Sequence, residues 1–576
     1  MSPRRLRLFR LLVLAALGLL VARLAQLQVL QGKELRQASE QNRIRRVREP
    51  APRGLILDRA GHVLASNRAA YCITLLPQPD AGQRRAVEQA LEPLLGLPAG
   101  SVERRLQGAE WARGEAVSVA SDVHYRTLAR VEERAPFLPG VAVQVVPVRR
   151  YPYGSLACHL LGYVREVDQR ELASGQEQGY LPGDLIGKSG VERAAERALR
   201  GREGGKQVEV DARGRPVRVL GRVEPRPGQP VTLTLQLAAQ QAAAAGLRGR
   251  KGGAVALDPR TGEVLALCSS PGFDPNWFAG ELSRERWAYL NGPSRPQQNR
   301  ALRGRYEPGS VFKIVTAAAA LEQGKATAGS RFYCPGHYQL GKWRFSCWRL
   351  SGHGALSFTE GIAQSCNVVF MTLGRRVGAE ALAGMARRLG CGAPTGLDIG
   401  SESAGLVPDP EWKRRHRHQS WYPGDTCQLA IGQGDMLITP LQAAALVSVV
   451  ANGGYRVQPH LVRAIGEERL PAPRPSPAGL SLQTIRLLRQ GLEGVVQRGT
   501  ARSLRGLGVA VAGKTGTAEN PRGAPHAWFV GYAPADHPRV AVAVLVEGGG
   551  HGAAVAAPVA GRMIRAALGL EKGGGR

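Results

Sequence analysis

The sequence predicts an α+β chain in three parts: a single N-terminal transmembrane helix, a β-rich module, and a larger domain whose helices pack on a sheet assembled from distant segments. Three observations carry this. An uncharged apolar run from Leu11 to Ala22 is preceded by Arg4, Arg5, Arg7 and Arg10 and followed by Arg23. Short alternating runs broken by glycine turns occupy residues 52–65. Strand-like runs stand at both ends of the second half, at 231–267 and 509–546, with helical patterns between them.

Composition narrows the class. The chain has 576 residues, room for roughly two to four domains with cores of their own. Hydrophobic residues at 43% and charged residues at 21% mark a folded protein. The net charge of +31 comes from 77 basic and 46 acidic residues, yet lysine occurs only ten times. Such a charge suits an anionic membrane surface or an anionic polymer, and arginine-favouring codon usage explains it equally well. Nucleic acid fits worst, because no binding module is visible and aromatic residues for base stacking are few.

In chain order, residues 1–10 read as a cytoplasmic tail and 11–30 as the anchor. Twelve helical residues cover only about 18 Å, but apolar character resumes from Leu24 to Leu30 and flanking arginines can snorkel. No small-x-small cleavage site follows, so an uncleaved anchor is favoured over its rival, a signal peptide. The arginines then stay inside and the rest of the chain lies outside the cytoplasm. A first domain covers 31–230. Residues 24–48 read as a polar helix, 80–135 as helices, Val141–Tyr151 as a strand, and 200–230 as an extended ribbon or linker. The second domain, 231–570, opens with a strand at Val231–Leu235 and a helix from Gln236. A hairpin follows, Gly253–Asp258 with Glu263–Leu267. Helices fill much of 312–450. Strands return at Val509–Ala512, Ala527–Tyr532 and Val540–Val546, a helix covers Ala557–Leu570, and 571–576 is a tail.

The chemistry centres on Tyr306-Glu307-Pro308-Gly309-Ser310-Val311-Phe312-Lys313. Pro308 and Gly309 suit a tight turn into a buried helix ending near Gly324, with Ser310 in its first turn and Lys313 on the same face. A serine hydroxyl needs a base to become a nucleophile, and a desolvated neutral lysine can act as one whereas arginine cannot. Alone, the pair reads equally as a capping serine beside a solvated lysine. Partners downstream raise it: Ser365-Cys366-Asn367, and Lys514-Thr515-Gly516-Thr517 on a strand-like stretch running through Ala518. Ser365 and Asn367 can relay a proton and hold Lys313. Lys514, Thr515 and Thr517 offer a cation and hydroxyls to a substrate carboxylate, while Gly516 permits close backbone approach. The backbone N–H groups of Ser310 and Thr517 are the candidate oxyanion donors.

These three motifs, in this order, resemble the class B penicillin-binding proteins. The resemblance extends to Arg53-Gly54-Leu55-Ile56-Leu57-Asp58-Arg59, Gly187-Lys188-Ser189-Gly190-Val191-Glu192, Gly432-Gln433-Gly434 with Thr439-Pro440-Leu441-Gln442, and Trp528-Phe529-Val530-Gly531-Tyr532-Ala533-Pro534. It implies an elongated pedestal carrying a transpeptidase domain with an antiparallel sheet flanked by helices. It further implies a serine-type D-Ala-D-Ala transpeptidase, acting through an acyl-enzyme on peptidoglycan stem peptides and inhibited by β-lactams. No cofactor is implied, and glycan polymerisation is left to a partner. Gln41-Asn42-Arg43 and the Tyr151–Tyr163 segment resemble the elongation-specific group, penicillin-binding protein 2, whose partner is a RodA-type membrane glycosyltransferase. A septal role is the alternative; a β-lactamase, a carboxypeptidase or a non-catalytic β-lactam sensor rank lower. Among the eight cysteines, Cys334 and Cys347 read as a loop disulfide, with paired free thiols or a zinc site with His337 or His353 as alternatives. Some relatives hold zinc in this region, but without a tight Cys-x-x-Cys spacing no metal is expected here.

Overall fold

A continuous helix, Pro3–Ala25 (α1), runs on through a π turn at Gln26–Leu30. Its segment Phe9–Leu30, 22 residues with mean hydropathy 1.9 and no burial against the rest of the chain, is long and apolar enough to cross a membrane. The structure, a computed structural model, describes residues 3–33, 44–76, 80–106, 116–173, 179–180, 183–210, 216–280, 282–520 and 523–570. Gln41-Asn42-Arg43 and the 571–576 tail lie outside the described residues.

The polar helix expected over 24–48 is corrected at its far end, where Ile44–Glu49 is a strand (β1). Strands Ile56–Leu57 (β2) and Val63–Leu75 (β3) follow. Helices at Ala81–Leu95, Ser101–Leu106 and Tyr125–Arg134 agree with the pattern, but Val117–Val123 (β4) is a strand among them that the sequence reading missed. Its alternation is short and polar, and only pairing with β3 decides it. Val141–Arg150 (β5) also pairs with β3. The ribbon over 200–230 is an antiparallel pair, Gly204–Val210 (β6) and Pro216–Val223 (β7), and β1 joins β6 to make three strands. Backbone pairing with β6 decides the strand at β1, and ion pairs flank it. Glu49 meets Lys206 at 2.5 Å and Arg222 at 2.9 Å, and Arg48 meets Asp184 at 2.9 Å.

Val231–Leu233 (β8) is shared between the two halves. It pairs parallel with β2 and antiparallel with a strand from far downstream, Val462–Ile465. Beyond it, a helix at Leu237–Leu247 (α2) leads into Gly252–Leu257 (β9) and Val264–Ser270 (β10), the predicted hairpin. The last three strands are Ala512–Ala518 (β11), His526–Ala533 (β12) and Val540–Val546 (β13). The first begins three residues later than expected, so its motif lies within the strand. All five form one antiparallel sheet in the order β10-β9-β13-β12-β11. Every residue of β13 is buried, which requires cover on both faces of the pleat. The helices Pro440–Ala451 (α3) and Ala556–Leu568 (α4) both pack on it, and α2 packs on α4.

The family-like segments around Arg53 and Glu192 meet in a buried ionic cluster. The Arg53 guanidinium donates to Glu192 at 2.9 Å and to Glu196 at 2.8 Å. Arg149 donates to Glu192 at 2.6 Å, and the Tyr151 hydroxyl to the same carboxylate at 3.1 Å. The Tyr151 backbone is clasped by the Asn276 side chain at 2.9 and 3.0 Å, tying the pedestal to the second domain. Arg53→Ala leaves two buried carboxylates short of a cation and is expected to cost about 3–5 kcal/mol of stability. The readout is a lowered urea midpoint, against a change under about 0.5 kcal/mol for the exposed Arg126→Ala.

Candidate active site

Ser310 lies in a 3₁₀ turn, Gly309–Phe312, and the α-helix proper begins at Lys313. The expected single helical turn is thus tighter than foreseen. In a 3₁₀ turn residues three apart eclipse, so Ser310 and Lys313 still share a face. The helix is almost wholly buried from Lys313 to Ala320 and ends at Glu322, capped by Gln323, with Gly324 at φ +64° as expected. Gly309, at φ +51°, donates to the Gly432 carbonyl at 2.9 Å, and a Cβ there would lie 2.7 Å from the Thr517 carbonyl. The turn is therefore wedged between the Gly432 loop and β11. Trp528 on β12 pins the preceding residue by donating to the Glu307 carbonyl at 2.9 Å.

Ser365 follows a helix at Phe358–Ala363 opened by a Ser357/Glu360 capping box, and the next helix begins at Asn367. Ser365 itself sits at φ +53°, a left-handed conformation that costs a non-glycine residue about 1–2 kcal/mol. The strain aims its hydroxyl between two buried amines. Lys313 Nζ donates to Ser365 Oγ at 3.3 Å, to the Ser365 carbonyl at 2.8 Å and to Asn367 Oδ1 at 2.7 Å. Lys514 Nζ donates to the same Oγ at 2.7 Å and to the Thr515 carbonyl at 3.1 Å. Burial pushes Lys313 down to about 8. It pushes Lys514 well below the usual lysine range, with the Lys313 charge adding to the effect.

The structure thus brings Lys313, Ser365, Asn367 and Lys514 into direct contact. It places Ser310, Gly516 and Thr517 beside them through backbone packing: a Cβ on Gly516 would meet the Pro308 carbonyl at 3.1 Å and Val311 at 3.2 Å. Since β11 is the outer strand of its sheet, its free edge is available to an extended peptide. Thr515 Oγ1 lies 2.6 Å from Thr500 Oγ1, a partner the sequence reading missed. Nothing in the pattern around Thr500 singles it out. The same holds for Glu547, whose carboxylate accepts from the Tyr306 hydroxyl at 2.7 Å and Arg300 at 2.8 Å and braces the residues ahead of the nucleophile.

Behind Asn367 the cysteines differ from expectation. All eight are free thiols, so the Cys334–Cys347 disulfide is corrected. Instead Cys334, Cys347, His353 and Cys366 converge, with one donor atom from each within 4.8 Å of all the others. Sequence separation hid this set, because Cys366 belongs to the serine motif rather than to the cysteine loop. Hydrogen bonding between their thiols holds Cys347 low and Cys366 high. His353 Nε2 is buried without a hydrogen-bond partner among the described residues.

Comparison with known proteins agrees with this geometry. Residues 252–565 match the penicillin-binding protein transpeptidase domain, and 48–233 match the penicillin-binding protein dimerisation domain. The peptidoglycan D,D-transpeptidase MrdA of Acinetobacter baumannii is 36% identical over 95% of this chain and 84% of its own. Penicillin-binding protein 2 of Helicobacter pylori, solved in complex with MreC, superposes with a TM-score of 0.81 at 28% identity, covering 92% of this chain and 99% of that one. A chain from a peptidoglycan synthase complex that coordinates polymerization and crosslinking matches with a TM-score of 0.73 at 35% identity, over 99% of this chain and all of that one. Site geometry, domain order and whole-length similarity together place this chain among the class B penicillin-binding proteins, in the group of MrdA and penicillin-binding protein 2.

Proposed function

We propose that this protein is a peptidoglycan D,D-transpeptidase of cell-wall elongation, with Ser310 as the acyl acceptor. The observation that carries the reading is Ser365 Oγ, held between Lys313 and Lys514 beside the Ser310 turn. Neutral Lys313 takes the Ser310 proton as Oγ attacks the penultimate D-alanine carbonyl of a stem peptide. The Ser310 and Thr517 N–H groups stabilise the oxyanion. Ser365 passes the proton to the departing D-alanine amine, leaving an ester on Ser310. An amine of a second stem then attacks that ester, gives its proton back through Lys313, and frees the serine as the cross-link forms. A substrate carboxylate at Thr515, Thr517 and Thr500 favours the charged form of Lys514, which is costly in the empty site. β-Lactams present a strained amide and a carboxylate in the same frame.

In this reading α1 anchors the protein in the cytoplasmic membrane and the catalytic domain faces the wall. A RodA-type glycosyltransferase supplies the glycan, a partnership supported by the relative solved in a synthase complex. The cluster of Cys334, Cys347, His353 and Cys366 suits a zinc ion, since three sulfurs and one imidazole are zinc donors and the His353 Nδ1 stands 3.6 Å from the Cys347 sulfur. These four residues would hold it, and its contribution would be structural, joining the cysteine loop to the Ser365–Asn367 turn.

Labelled penicillin is expected to modify Ser310, and Ser310→Ala to abolish the label; persistent labelling of that variant overturns the assignment. Lys313→Arg is expected to slow acylation by about 10²–10⁴-fold, because a guanidinium does not deprotonate. For the native protein the acylation rate should rise with pH and level off above about 8, where Lys313 loses its proton; a flat profile argues against lysine as the base. Depletion in cells should give rounded cells, whereas filaments of ordinary width assign the enzyme to the septum. Elemental analysis of the purified protein should find one zinc per chain, lost in Cys334→Ser with Cys347→Ser.

A further inference from the structure

Between Cys334 and Cys347 the chain makes a two-stranded hairpin, His337–Leu340 (β14) with Trp343–Ser346 (β15). Its register sets Tyr338 opposite Phe345 and Leu340 opposite Trp343, so one face is apolar. The inner half of that face is used by the fold. Tyr338 packs against the core, and the Phe345 ring lies 3.4 Å from where a Cβ on Gly424 would stand. The outer half overhangs solvent, with Trp343 65% exposed. Lys342 stands over the Trp343 ring at 5.7 Å, and Arg344 reaches only the His337 ring. No carboxylate among the described residues pairs with Lys342, Arg344 or Arg349.

An isolated two-stranded hairpin is marginal in water, and this one is fastened at its base. Cys334 and Cys347 bracket it and join Cys366, the middle residue of the serine motif. Asn367 Nδ2 donates to the Ser346 carbonyl at 3.4 Å, and Trp348 Nε1 to the Gln364 carbonyl at 3.0 Å. The hairpin thus springs from the wall formed by Ser365 and Asn367, which faces Lys514 of β11, the strand whose free edge the proposed mechanism assigns to the donor peptide. Tyr422, 60% exposed, borders the same wall two residues from Gly424.

We propose that this hairpin is an arm that holds the acceptor strand of peptidoglycan against the acyl-enzyme, a proposal that rests on the transpeptidase reading. A pyranose ring offers an apolar C–H face to Trp343. The free carboxylates of stem peptides complement Lys342 and Arg344, which lack an internal anion. The donor occupies the β11 side, so the wall bearing the arm is the one left to a second strand. Continuity with the cleft and charge complementarity select this polymer over a protein or a lipid surface.

The test uses the full-length protein in detergent, comparing Trp343→Ala and the double variant Lys342→Gln, Arg344→Gln with the exposed control Tyr333→Ala. Retention on isolated sacculi is expected to fall about fivefold or more in the arm variants, with the double variant losing the salt dependence. The acyl-enzyme should partition toward water instead of an acceptor strand by a similar factor. The rate of penicillin acylation should stay within about twofold of native, since it reports Ser310 alone. Ser310→Ala protein should still bind sacculi, which separates failure of the arm from failure of the catalytic reading. Native retention and partition in both arm variants overturn the proposal. So does a parallel loss of penicillin acylation, and so does lost binding to anionic vesicles with sacculus binding intact.

Discussion

Ser365 Oγ is the point on which the site depends. Two lysines are buried almost completely within hydrogen-bond reach of one hydroxyl, an arrangement that repulsion and desolvation both oppose. The fold stabilises it from three sides. Asn367 and the Ser365 carbonyl accept from Lys313, the Thr515 carbonyl accepts from Lys514, and a left-handed turn aims Ser365 at both. The outcome is a lysine that yields its proton near neutrality and a second that gains most from an arriving carboxylate. Catalysis and substrate recognition therefore share one electrostatic strain.

That strain is tolerable because the surroundings cannot relax. The Ser310 turn is caught between Gly432 and β11 at distances that admit no side chain on Gly309. β11 is held by a sheet buried on both faces, and Trp528 and Glu547 lock the residues ahead of the serine. On the other wall, the thiols and imidazole behind Asn367 bring the base of the Cys334–Cys347 hairpin against the catalytic turn. Rigid packing here places groups whose spacing in the chain exceeds two hundred residues.

The pedestal follows the same logic at lower cost. Its ionic cluster is buried, and such clusters specify which surfaces meet more than they add net stability. Arg149 comes from β5, Glu192 from a short helix, Gly190–Ala194, and Arg53 and Tyr151 from the irregular chain before β2 and after β5, while Asn276 clasps Tyr151 from the second domain. Through β8 and its two neighbours the halves share one sheet.

Much of this was legible in the sequence where the signal is local. The apolar anchor run, the β9–β10 hairpin with its glycine turn, the buried strand Val540–Val546 and the Pro308–Gly309 turn declare themselves by short-range patterning, because side-chain period and backbone restriction act over a few residues. The ordered motifs around Ser310, Ser365 and Lys514 named the chemistry, since few other residue sets can acylate a serine beside a carboxylate. Long-range contact decided the rest. Ile44–Glu49 and Val117–Val123 became strands through partners supplied from elsewhere, Thr500 and Glu547 joined the site without a pattern of their own, and Cys334 and Cys347 gathered as free thiols with His353 and Cys366. Pairing, burial and donor geometry are properties of the packed chain, and for those residues only the tertiary structure could assign them.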